Sequence, residues 1–233
     1  MTAFQIRRQT FLLLLLIFFF SSSFAQKNGS FFGFKGGASF PLGKYKSTNL
    51  DEGSFALTGY NIAAEGAWFF KPKFGVGAQG GIQQHPVDVG WLGWEILQSN
   101  SALEDMYIRS EAHLVLTGLT GIYFQQPVWN KFLIESKLLG GIMYGKTPYQ
   151  LYKPEYVEDG PDFYEKTSAT DWNFTFLMGI GIQYEITPCY SFILDADFNY
   201  SNLAYSFITA TGTRIDQRNY MFINTQLGIR IKI

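Results

Sequence analysis

Between Trp172 and Tyr184 large apolar side chains fall on every second residue: Trp172, Phe174, Phe176, Met178, Ile180, Ile182 and Tyr184. Between them stand Asn173, Thr175, Leu177, Gly179, Gly181 and Gln183. After Glu185–Cys189 the pattern resumes from Tyr190 to Tyr200. Phe192, Leu194, Ala196 and Phe198 then face one way, and Ser191, Asp195, Asp197 and Asn199 the other. A period of two is that of a strand with unlike faces. Both runs exceed the five or six residues usual for a soluble strand and suit a tilted strand crossing a bilayer. Aromatic rings close both ends of the apolar face, where a membrane girdle sits. The pair reads as a transmembrane β-hairpin.

The N-terminus adds a compartment. Arg7 and Arg8 precede an unbroken apolar run, Phe11–Phe20, and Ser23-Phe24-Ala25 is a small-x-small cleavage site. The run is too short to cross a membrane as a helix, so residues 1–25 are expected to be a secretory signal peptide and 26–233 a single outer-membrane barrel domain. Aromatic residues make up 18% of the chain, with 24 glycines, a balance pointing to β structure with a wide aromatic surface. A net charge of −1 gives no electrostatic case for nucleic acid. Cys189 is the single cysteine and excludes an internal disulfide.

Taken in order, the alternation recurs over Phe32–Phe40, Phe55–Phe70, Phe74–Gln84, Tyr107–Gln125, Lys131–Lys146, the hairpin above and Arg218–Ile233. These are eight strands. Their connections alternate in length: 41–54, 85–105, 147–170 and 201–217 are long, whereas the turns at Pro72, Pro127 and Pro188 are short. Trp94–Ser99 reads as a short helix at a loop tip. Short turns on one side and long loops on the other are the asymmetry of bacterial outer-membrane barrels, and closure removes the strand edges lipid does not tolerate. The expected fold is an all-β, eight-stranded antiparallel up-and-down transmembrane β-barrel, with both termini at the short-turn, periplasmic side.

The leader ending Phe24-Ala25-Gln26, the glycine-rich first strand Gly33-Phe-Lys-Gly36-Gly37 and the Pro-bearing turns resemble the small outer-membrane β-barrel proteins of OmpX/OmpA type. Within these they are most similar to the PorT-like group common in Bacteroidetes. The likeness spans residues 26–233, and the last residue, Ile233, departs from the aromatic usual there. Some proteins of that group are accessory parts of secretion or gliding systems.

Few residues carry a chemical signal. Gly75-Val-Gly77-Ala-Gln-Gly80 matches a dinucleotide-binding string, but inside a strand with no helix after it. Lys35, Glu65, Glu135, Lys137, Asp195, Asp197 and Arg230 face inward at similar depths and are expected to neutralise one another as a structural salt-bridge plug. Lys35 is placed near Glu65, and Arg230 near Asp195 or Asp197. Arg109, Glu111 and His113 share a face, which lets Glu111 hydrogen-bond to His113. Two histidines, His85 and His113, with scattered carboxylates do not make a metal site, and no outward His–Ser pair suggests a lipid hydrolase. Trp91, Trp94, Tyr152, Tyr156 and Tyr164 in the long connections are candidate recognition residues.

The expected protein is a monomeric, non-enzymatic outer-membrane barrel without a cofactor, structural or surface-binding through its long extracellular loops. Its surroundings are outer-membrane lipid and lipopolysaccharide, with protein partners reached through loops or periplasmic turns. The alternatives are an accessory component of a secretion or export system and, more remotely, a lipid-modifying barrel enzyme. A soluble lipocalin-like barrel is the rival fold, and it needs an apolar interior.

Overall fold

The alternating segments form the eight strands of a closed barrel in a computed structural model that describes residues 30–209 and 212–233. The segment read as a signal peptide lies outside the described residues. In chain order the elements are β1 (Phe31–Pro41), α1 (Gly43–Lys46), β2 (Gly59–Phe69), β3 (Phe74–His85), α2 (Val89–Ser99), β4 (Leu103–Ser110), β5 (His113–Trp129), β6 (Phe132–Lys146), β7 (Gln150–Tyr156), β8 (Tyr164–Lys166), β9 (Thr170–Glu185), β10 (Tyr190–Thr209) and β11 (Gly212–Lys232). The barrel runs β1-β11-β10-β9-β6-β5-β3-β2, each neighbour antiparallel, so no ladder edge is left unpaired. Gly37 lets the first and last strands meet, because a Cβ there would lie 1.9 Å from the Thr225 carbonyl oxygen.

Face alternation decides what the barrel is. Phe34, Ile62, Val76, Ile82, Ile122, Leu138, Ile142, Met178, Ile180, Leu194, Leu227 and Ile229 point outward and are exposed, while the polar residues between them are buried. Exposed apolar surface of this extent is stable only against lipid. Ring pairs mark both borders. Phe74–Phe124 and Phe132–Tyr184 lie near the short turns, and Tyr144–Trp172 and Phe176–Tyr200 near the long connections. Trp172 and Tyr184 are twelve residues apart on β9. At about 3.3 Å per residue and a tilt near 45°, that spans about 28 Å, close to the apolar thickness such barrels present. The polar interior removes the lipocalin-like rival.

Three expectations about the connections change. The segment 201–217 is not a loop: β10 and β11 continue through it, pairing as far as Thr209 with Gly212. Pro127 is not in a turn, because β5 carries on to Trp129 and takes up the proline at a register shift between Pro127 and Trp129. Tyr107–Gln125 is not one strand. It breaks at Glu111–Ala112 into β5 and β4, and β4 joins β7 and β8 in a second, three-stranded sheet at the long-connection end. That sheet and α2 share an apolar core of Phe55, Val87, Leu92, Met106, Ile108 and Tyr152. Ile108 therefore packs in this core instead of facing lipid, and Arg109 is exposed outside the lumen.

Candidate functional site

The lumen comes first, because what fills it decides whether anything passes. Strand parity turns Lys35, Glu65, Glu135, Lys137, Asp195, Asp197 and Arg230 inward, and all seven are buried in one cluster. The Lys35 ammonium lies 3.2 Å from Glu65, 2.7 Å from Asp195 and 2.9 Å from Asp197. Lys137 reaches Asp195 at 2.7 Å, Asp197 at 2.9 Å and Glu65 at 3.5 Å. Arg230 donates to both Glu65 and Glu135, with Nε–Oε1 2.7 Å to Glu65 and Nη2–Oε1 2.7 Å to Glu135. Its guanidinium also stands 3.8 Å over the Phe31 ring. Arg230 does not meet Asp195 or Asp197, contrary to the pairing read from the hairpin. Opposite it on β10 stands Ser191, while Asp195 and Asp197 sit level with Gln226 and Asn224. The stagger of the strands sends Arg230 across the lumen to β2 and β6 instead.

Glycines make room for these long side chains. A Cβ on Gly33 would lie 2.7 Å from Cγ of Arg230, on Gly179 2.3 Å from Asp197 Oδ1, on Gly181 2.8 Å from Asp195 Cβ and on Gly228 2.6 Å from Lys35 Cβ. In the Gly75–Gly80 string, a Cβ on Gly77 would strike the Tyr123 ring at 2.7 Å, so the motif serves packing within β3. Phe31, Ala67, Phe69, Leu119, Tyr123, Leu139 and Leu177 fill the lumen around the charges.

A stopper closes the long-connection end. α1 tucks Tyr45 into the mouth, fully buried, with its ring 4.4 Å from that of Tyr220. Its hydroxyl is hydrogen-bonded to His85 Nδ1 at 3.0 Å, and His85 Nε2 to Ser39 at 2.8 Å. His113 Nε2 bonds the Ser54 carbonyl at 3.1 Å. The Glu111–His113 bond does not form, because the chain turns out of the barrel between β4 and β5 and leaves Glu111 exposed beside Lys146.

Above the stopper the long connections enclose a cup of about 460 Å³. One wall is the projecting part of β10 and β11, where Tyr205, Phe207, Arg214, Asp216, Arg218 and Tyr220 continue the inward parity of the lumen. Tyr152 and Tyr164, stacked at 4.6 Å and 7°, form the opposite wall with Gln150 and Lys166. Phe55, Leu92 and Ile96 complete the lining with His113 at its base. Phe55 is held at φ 52°, in the left-handed region costly for a phenylalanine, with its N–H on Ser47 and its carbonyl accepting from Asp88. Strain of this kind persists only where the surroundings impose it.

The cup's polar groups are unevenly paired. Asp216 accepts from Arg214 at 2.6 and 3.1 Å and lies 3.6 Å from Arg218, which also bonds the Gly53 carbonyl at 2.5 Å. The Glu165 carboxylate holds the Tyr149 hydroxyl above the usual tyrosine value. Lys166 makes no ion pair among the described residues, and its ammonium lies 5.9 Å from the centre of the Phe207 ring. Desolvation by the surrounding walls, then repulsion by Arg218 and Arg214, holds Lys166 below the usual lysine value against the attraction of Asp216. Burial raises the Tyr152 hydroxyl, which stays neutral and donates to Gln150 Oε1 at 2.7 Å.

Of the five aromatic residues singled out in the sequence, only Tyr152 and Tyr164 line the cup. Trp91 and Trp94 pack on each other at 5.2 Å on the exposed face of α2, and Tyr156, half-buried, covers Gly160. The sequence reading missed Arg214, Asp216, Arg218 and Phe207, because a polar stretch was taken for a loop. The signal was there: large and small side chains alternate from Leu203 to Phe207, in register with Arg214, Asp216 and Arg218.

No protein-family model matches the sequence, and no curated protein matches it either. Solved structures do share the barrel. The Neisserial surface protein A structure is 8% identical over 88% of this chain and 98% of its own, with a TM-score of 0.48. Ail, the attachment invasion locus protein of Yersinia pestis, is 16% identical over 87% and 99%, with a TM-score of 0.43. The N-terminal β-barrel domain of Pseudomonas aeruginosa OprF is 8% identical over 88% and 97%, with a TM-score of 0.40. All are small outer-membrane β-barrels. The fold of this chain stands on its own register and faces, given above.

Proposed function

We propose that this protein is an outer-membrane barrel, closed to passage, that binds a small ligand at the cell surface in the cup formed by its long connections. The observation that carries this reading is where the chain spends its length. Residues 86–112 and 147–169 build a helix, a second sheet and, with Phe55, an apolar core, and these flank a lined cavity above a plugged lumen. Loops that only join strands need no such core. A cavity of this size, lined by six aromatic rings among polar and charged side chains, can hold and orient a small molecule.

This reading takes residues 1–25 as a signal peptide and the short turns as periplasmic, with the cup on the outer side. The charges and their hydrogen bonds serve as a structural plug in this reading. The PorT-like affiliation rests on sequence resemblance alone, and no feature of the short turns favours the secretion-accessory alternative.

The test uses the purified full-length barrel in detergent with a fluorinated fragment library read by 19F NMR. Thr167, exposed on the rim, is replaced by Trp to fill the cup. The reading expects fragments that bind the native barrel and lose binding in Thr167→Trp. If no fragment responds to that substitution, the cup is not a binding site.

A further inference from the structure

The charges of the cup say what kind of ligand belongs there. Three cations, Lys166, Arg214 and Arg218, line it. Their contact carboxylate is Asp216, which both arginines share. The second carboxylate on the wall is Glu165, which makes no ion pair with any of the three. Lys166, exposed on the wall, makes no ion pair among the described residues, and its ammonium stands 5.9 Å from the centre of the Phe207 ring. Across the cup from Arg218, that ammonium is open to an anion entering between the two walls.

The remaining lining completes the ligand's outline. The face of the stacked Tyr152–Tyr164 pair and the ring of Phe207 offer flat apolar contact, and Gln150 and the tyrosine hydroxyls offer neutral hydrogen bonds. We infer that the cup takes a small anionic molecule with a ring, its phosphate, sulfate or carboxylate on Lys166 and Arg218 and its ring against the tyrosine wall. The inference rests on the cup being a binding site and adds the chemical class of its occupant.

The experiment is calorimetric titration of the full-length barrel in non-ionic detergent with three probes: phenyl phosphate, inorganic phosphate and benzyl alcohol. Phenyl phosphate is expected to bind most tightly. A charge-assisted hydrogen bond contributes about 1.5–3 kcal/mol, so Lys166→Met should weaken phenyl phosphate about tenfold or more and leave benzyl alcohol unchanged. Arg109→Gln, which removes an exposed cation outside the cup, serves as the control and should change neither. Raising salt should weaken phenyl phosphate in the native protein more than in Lys166→Met.

Benzyl alcohol binding as tightly as phenyl phosphate, with no effect of Lys166→Met, would overturn the anionic assignment while leaving the cup a binding site. Equal loss in Lys166→Met and Arg109→Gln would reduce the effect to net charge and overturn it as well. If none of the probes bound, the anionic assignment would fall together with the reading of the cup as a binding site.

Discussion

Replacing Arg230 with Met tests the lumen most directly. The guanidinium is fully buried, donates to both Glu65 and Glu135, bonds Gln183 at 2.9 Å and covers the Phe31 ring. Met keeps much of the apolar stem but leaves two carboxylates facing each other without a cation. With all groups ionised, the seven-residue cluster holds three cations and four carboxylates, and Arg230→Met raises that excess of one negative charge to two. Removing one partner of a buried ion pair costs about 3–5 kcal/mol, and the doubly bonded geometry here puts the expectation at the upper part of that range. Urea unfolding in phospholipid vesicles, followed by loss of the fast-migrating unboiled band on SDS gels, measures it. Glu135→Gln added to Arg230→Met should recover about half the loss, because it removes a carboxylate left unpaired. A loss under about 1 kcal/mol for Arg230→Met, or additive losses in the double variant, would refute the claim that these groups neutralise one another.

Further expectations concern the walls, the stopper and the cup. Gly179→Val drives a side chain into Asp197 and Lys137 and should destabilise by about 1–3 kcal/mol in the same assay, whereas Gly118→Val, with nothing within 4 Å of its Cβ, should be nearly silent. Planar-bilayer recording of the native protein should show no conductance steps, and Tyr45→Ala alone should not create them, since the charged cluster still fills the lumen. Lys166 is held below its usual value, so the folded state releases its proton before the unfolded chain does. The stability of the loop sheet should therefore rise with pH between the depressed value and 10.5. Proteolytic nicking of residues 156–170 against pH reads this, and Lys166→Met should flatten it.

The barrel was legible because lipid imposes a strict code. Trp172–Tyr184 could not alternate ring and glycine across a bilayer without declaring both faces. The same code misled at Ile108 and Arg109, because a small sheet with a core of its own also alternates, and period two does not say which sheet a strand joins. Depth along each strand could be counted from the turns, so the seven inward charges were found. Their partners could not, since Arg230 reaches Glu65 and Glu135 through a stagger that local sequence does not record. The cup was hidden for a simpler reason. Arg214, Asp216 and Arg218 are polar wherever they stand, and only the continued register of β10 with β11 makes them a wall.

The seven lumen charges come from five strands, β1, β2, β6, β10 and β11, and Arg230 on β11 and Lys137 on β6 find their carboxylates only on strands far away in sequence. A half-assembled sheet would bring bare ammonium and carboxylate groups to the hydrocarbon, at several kcal/mol for each ion. Biogenesis is thus bound to an order of events: the strands must gather beside water or a chaperoning surface and enter the bilayer as they shut. Because Arg230 lies on β11, the strand that closes the barrel against β1, that strand acts as the latch. A chain cut before Gly212 should accumulate as a protease-sensitive periplasmic species instead of a shortened membrane protein.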